Sequence, residues 1–162
     1  VSLEGTPKYM AFYELDHANV LETPAYKRLG ENPSDWDKRI LPNMQVEART
    51  VYECIFTCGE AGAQHASYLL SVRLDIAPEV EDDFNEWYNV DHLPKLAAVP
   101  GVHGARRYRK LSGNGTKYLA LYEFDNAQVR GTEAWAKAAN TEWTRKIRPH
   151  LKPLSNVGQR LL

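Results

Sequence analysis

One segment of this 162-residue chain concentrates the side chains that can move a proton. It is FNEWYNVDHLPKLAAVPGVHGARRY, residues 84–108. Phe84, Tyr88 and His92 recur every four residues, so on a helix they share one face. An imidazole on that apolar face can serve as general acid or base near neutral pH, its pKa set by burial or by a nearby carboxylate. Asp91 is the neighbouring carboxylate, but consecutive helical residues point about 100° apart. Asp91 is therefore expected to cap a helix or orient a partner rather than to pair with His92. Trp87 stands on the Asp91 stripe, and Trp87, Tyr88 and Tyr122 are expected to line a pocket that His92 faces. The same pattern also fits a plain alternative, in which His92 hydrogen-bonds a carbonyl at the end of a structural helix.

Strands supply the supporting groups. Residues 67–76, SYLLSVRLDI, and 117–125 alternate as strands do, which puts Arg73 with Ser71 and Asp75 on one parity and Glu123 among apolar neighbours. A face carrying Arg73 and Glu123 cannot be dry core unless the charges pair. Over 102–111, His103 and Arg107 share one parity, and Arg106 and Tyr108 the other. Which parity faces a ligand stays open at this level, and all four are candidates.

The elements that must hold these groups follow from proline, turn and repeat signals. Pro78 suits the first turn of a helix, and Glu79, Glu81, Asp82 and Asp83 crowd its N-terminus as the helix dipole favours. That helix is expected to run to His92 and to break at Pro94, with a Pro100-Gly101 turn beyond it. Residues 7–25, PKYMAFYELDHANVLETPA, match residues 116–134, TKYLALYEFDNAQVRGTEA, and Trp36, Ile40 and Pro42 then match Trp143, Ile147 and Pro149. Each copy is expected to be a strand followed by a helical region: 8–15 then 18–41, interrupted near Pro24 and Pro33, and 117–125 then 127–147. A further strand is expected over 46–57 and another over 151–162. Residues 59–66 read as a linker, which divides the chain into 1–58 and 67–162. The later part has the β-α-β-β-α order of a ferredoxin-like unit with a fourth strand available at its end. The earlier part holds only the β-α-β second half of such a unit, and reads as a first repeat truncated at its N-terminus. A missing N-terminal segment, or another copy of the chain, is the expected partner for its strands.

Trp87-Tyr88, Asp91-His92, Pro94, Pro100-Gly101 and Arg106-Arg107-Tyr108 resemble the W-Y-x-x-x-H-x-P…P-G…R-Y pattern of EthD-like proteins of the dimeric α+β barrel superfamily. The resemblance implies an α+β fold of ferredoxin-like units whose antiparallel sheets pair into a barrel, here of tandem-repeat type. It also implies a homo-oligomer and a functional role for His92. Relatives of that kind include cofactor-free decarboxylases, cyclases and lactone isomerases.

Composition narrows the field. The net charge is -1, with Lys and Arg totalling 20 against 21 Asp and Glu, so no basic surplus points to nucleic acid. No apolar run approaches the ~18 residues of a membrane span. Cys54 and Cys58 are too few for a disulfide scaffold, and a cytoplasmic protein with free thiols is the default expectation. His17, His65, His92, His103 and His150 lack metal-ligand spacing, so no metal is expected, and the resemblance to cofactor-free relatives implies no cofactor. The leading expectation is a lyase or isomerase whose His92, with Asp91, acts on a small aromatic, polyketide-like or lactone substrate. Trp87, Tyr88, Tyr122, Arg73, His103 and Arg107 would bind that substrate. The alternatives are a non-catalytic ligand-binding or assembly module and, less favoured, a cofactor-free monooxygenase or haem-binding protein.

Overall fold

The structure, a computed structural model, describes residues 2–45, 48–62, 66–152 and 154–159, and only the backbone of 154–157 and 159. Six strands form one antiparallel sheet: β1 (Ser2–Gly5), β2 (Thr50–Gly59), β3 (Tyr68–Leu74), β4 (Val102–Gly113), β5 (Tyr118–Phe124) and β6 (Leu154–Gln159). Their order across the sheet is β1-β6-β3-β5-β4-β2. The inner four, β6-β3-β5-β4, have the strand order of a ferredoxin-like unit, and β1 and β2 extend its two edges. The protein is thus α+β, with a four-strand antiparallel ferredoxin-like core.

Helices α3 (Glu81–Trp87), α4 (Leu93–Ala97), α5 (Glu133–Ala139) and α6 (Glu142–Ile147) belong to this core unit. Tyr118, Ala120, Tyr122 and Phe124 of β5 pack with Phe84, Trp87, Tyr88, Leu93 and Leu96 of the α3–α4 arm, which alternation along β5 dictates. The arm does not break at Pro94. A π-turn at Tyr88–His92 joins α3 to α4, and helical backbone continues to Ala97. Proline lacks an N–H to donate, so the residue is tolerated where the ladder has already shifted register. Beyond it Gly101 turns the chain with a φ of 86°, and an added Cβ there would meet Val129 at 2.8 Å.

The earlier part of the chain differs from expectation. Residues 8–15 form no strand, although they repeat the sequence of β5; the short β1 precedes them instead. A strand needs neighbours to take its backbone hydrogen bonds, and among the described residues no strand pairs with 8–15. The expected helical stretch 18–41 resolves into a 3-10 turn, α1 (Pro24–Glu31) and α2 (Asp35–Ile40). Pro24 opens α1 at its first position, and Ser34 with Asp37 makes a capping box for α2. The strand expected over 46–57 occupies 50–59; Val46 and Glu47, like residues 63–65 of the expected linker, lie outside the described residues. No described residue before Ala66 is buried.

Candidate functional site

The densest polar and aromatic cluster among the described residues sits between the α3–α4 arm and the sheet. Trp87 and Tyr88 sandwich His92, with ring centroids 4.3 Å and 5.1 Å away, the Tyr88 ring meeting it edge-on at 84°. The shared helix face read from the sequence, carried over the π-turn, accounts for the Tyr88–His92 contact. Its Nδ1 is buried and finds no hydrogen-bond partner among the described residues. Burial lowers the His92 pKa from 6.5 to about 4; Asp91 opposes the shift, while Arg148 and Arg107 add to it. At neutral pH this is an uncharged imidazole, able to accept a proton.

Tyr88 and Tyr122 place their hydroxyls 3.2 Å apart, both fully buried, and burial raises both phenol pKa values, so both stay protonated. Arg107 lies among them. Its guanidinium stands 4.4 Å from the Tyr88 ring, 5.0 Å from Phe84 and 5.2 Å from Tyr118. It donates to Asn89 Oδ1 at 2.7 Å and to Asn85 Oδ1 at 2.8 Å. Burial pulls its pKa below the usual arginine value. The positive charge is thus held by amides and aromatic faces, with no carboxylate in direct contact among the described residues. The nearest acid in the network is Glu81, which accepts from Tyr118 at 2.5 Å, and the Tyr118 hydroxyl accepts from Asn85 at 3.1 Å.

Asp91 points the other way. It accepts from Lys95 and, at 2.6 Å, from Thr141, the residue that caps α6. Thr141 contacts Thr144 at 2.9 Å, and Thr144 accepts from the Trp87 indole at 3.2 Å. Burial would raise the Asp91 pKa, but the hydrogen bonds from Lys95 and Thr141 outweigh it and hold the carboxyl below the usual range. Asp91 therefore fixes α6 and, through the two threonines, the Trp87 ring that carries His92. A concavity of about 500 Å³ opens on this Asp91 side, lined by Asp83, Asp91, Lys95, Thr141, Trp143 and Lys146 among others. Neither His92 nor Tyr88 lines it.

The other candidates lie elsewhere. Arg73 is on the face turned from the helices and donates to the Thr6 carbonyl. Arg106 bridges Glu14 and the buried Glu123, which also accepts from the Gly62 N–H at 2.8 Å and 2.9 Å. On that face the buried Glu123 pairs with Arg106, as burial requires, whereas Arg73 is held by the Thr6 carbonyl. Tyr108, pushed up to about 12 by burial, stands near Arg106. His103 parts from Arg107 because the β4–β5 register shifts between Val102 and Gly104. Its Nε2 lies 2.5 Å from Asp125 Oδ1, close enough for an ion contact but off the direction of a hydrogen bond. Asn85 and Asn89 escaped the sequence reading; two amides at i and i+4, one residue after each of Phe84 and Tyr88, were the available signal. His65 lies outside the described residues, and among the described residues no cluster of three His, Cys, Asp or Glu side chains suits a metal ion. No helix among them is long and apolar enough to cross a membrane.

The fold has solved counterparts. An anthrone oxidase-like protein superposes with a TM-score of 0.57 at 15% identity, over 85% of this chain and 66% of that one. A Fusobacterium nucleatum subsp. nucleatum protein described as a candidate monooxygenase gives 0.55 at 10%, over 88% and 62%. This chain thus spans slightly less than two thirds of either, and shares their α+β barrel-type fold. No curated protein matches its sequence. Residues 67–148 match the family model described as a domain of unknown function, DUF4286, and the chain belongs to that family.

Proposed function

We propose that this protein is a small-molecule enzyme that transfers a proton on a phenolic, polyketide-like or otherwise enolisable substrate without a resident cofactor, in the manner of a lyase or isomerase. The observation that carries the reading is His92, a half-buried neutral imidazole whose unpartnered Nδ1 is enclosed inside an aromatic cluster. His92 accepts the proton from substrate. Charge that develops on a substrate oxygen is stabilised by Arg107, whose own charge no carboxylate cancels, and the Tyr88 and Tyr122 hydroxyls orient the ring. Asp91 is a positioning residue, acting through Thr141 and Thr144 on Trp87. A planar ligand gains access when the Trp87 and Tyr88 rings part. The EthD-like motif, the tandem repeat and a homo-oligomeric barrel belong to the same reading.

A second reading is cofactor-free oxygenation, favoured by the names of the two similar structures. The same deprotonated, electron-rich substrate would then react with dioxygen. Anthrone, a ketone with an acidic benzylic carbon, separates the possibilities. In anaerobic D₂O, protein-catalysed loss of its C10 proton signal with no oxygen uptake in air supports the first reading, and oxygen uptake supports the second. Neither response from wild-type protein, or responses undiminished in His92→Gln, would reject both and leave a binding module.

A further inference from the structure

The later part of the chain indicates what covers the earlier part. Residues 18–43 and 129–150 carry matching caps. Thr23 donates to the Val20 carbonyl at 2.7 Å and accepts from the Tyr26 N–H; Thr132 donates to Val129 at 2.8 Å and accepts from Trp135. Ser34 and Thr141 each cap the second helix through the backbone N–H three residues on. Asn32 and Asn140 each end the first helix and return a side-chain bond to a carbonyl four residues back.

The segment before them keeps the side-chain alternation of β5 without being a strand. Met10 and Glu14 meet the sheet, at Ser71 and Arg106, as do their equivalents Leu119 and Glu123 on that face. Tyr9 and Tyr13 stand on the opposite parity and are 65% and 83% exposed, whereas their equivalents Tyr118 and Tyr122 are 3% and 1%. Ile40 is 47% exposed against 2% for Ile147. Trp36 lies open, with the Arg39 guanidinium 3.8 Å over its ring. Apart from the Trp135 ring, which meets Tyr122 edge-on, what buries Tyr118 and Tyr122 is β3 and β4 on either side and the α3–α4 arm above, all within residues 68–113.

We propose that the face bearing Tyr9, Tyr13, Leu15, Trp36 and Ile40 is a docking surface for a β-α-β segment of the same design as residues 68–113. Its two strands flank 9–15 and turn that segment into the centre of a second sheet. Its helix lays a tyrosine against Tyr13, as Tyr88 meets Tyr122. Residues 68–113 of another copy do not serve, because their own β5, α5 and α6 already occupy them. The inference does not depend on His92 being catalytic.

The test places a second copy of residues 67–113 ahead of residue 2 of the full chain through a flexible Gly/Ser linker, at an effective concentration on the order of mM. Backbone hydrogen exchange is read at 9–15 and at 118–124. Expected is at least 100-fold slower exchange at 9–15 than in the unextended chain, reversed by Tyr13→Asp in the extended protein with 118–124 unchanged. Fast exchange at 9–15 in the extended protein, or protection that survives Tyr13→Asp, would overturn the proposal. Protection already present in the unextended monomer would also overturn it. So would protection that grows with concentration alongside a doubled mass, which would assign the face to a second copy.

Discussion

Residues 9–43 and 118–150 are two versions of one sequence in two environments. Both make a 3-10 turn, two short capped helices and a proline-stopped end, so these features follow from local chemistry: threonine and serine caps, proline at the first turn, asparagine at the close. Only the second makes a strand, and only the second is buried. The difference lies in the partner. Strand hydrogen bonds are non-local, and β5 has β3 and β4 to provide them.

The sharpest break of this comparison is Tyr122→Ala against Tyr13→Ala. Tyr122 is fully enclosed and bonded to Tyr88, so its truncation is expected to cost roughly 3–5 kcal/mol. The same change at Tyr13 should stay within about 0.5 kcal/mol in urea unfolding. Equal effects at the two sites would mean that 9–15 is packed after all.

Acid is the next lever, and its main target, His92, lies in the later region. His92 has a folded pKa of about 4 against 6.5, so between those values the unfolded chain binds more protons. Stability contributed by the neutral imidazole is present above pH 6.5 and lost as pH falls towards 4, by roughly 3 kcal/mol at ~1.4 kcal/mol per unit. His92→Gln should flatten that part of the urea midpoint–pH curve; an unchanged curve would show that His92 titrates as an exposed histidine.

A smaller contrast concerns the caps. Thr132→Ala should lower global stability by about 1 kcal/mol, because α5 is joined to the core through Trp135. Thr23→Ala removes the same bond from a helix with no buried residue. It should leave the main unfolding transition in place while lowering helicity locally, which circular dichroism below the transition would read.

Legibility in the sequence followed the same division. Alternation located β3 and β5 closely, prolines bounded the helical stretches 18–41 and 127–147, and the order of elements pointed to the ferredoxin-like unit. The Thr132 and Thr141 caps that divide 127–147 into α5 and α6 went unread. The strand at 8–15 misled because alternation states which face a side chain would take, not whether a neighbour exists. Pro94 misled because a π-turn is invisible in residue type. The stack of Trp87, Tyr88 and His92 was partly legible from spacing. The placement of Arg107 between Asn85 and Asn89 was not, since it depends on the crossing of β4 beneath α3. The β4–β5 bulge likewise separated His103 from Arg107 against the count of alternating residues.

The central claim is that a neutral, half-buried His92 is the base. The most direct measurement is the pH dependence of protein-catalysed deuterium exchange at C10 of anthrone under anaerobic conditions. The rate constant should rise through an inflection near pH 4, run level towards neutrality, and fall at least 100-fold in His92→Gln with the fold intact at neutral pH. An inflection near 6.5, or exchange that persists in His92→Gln, would contradict it.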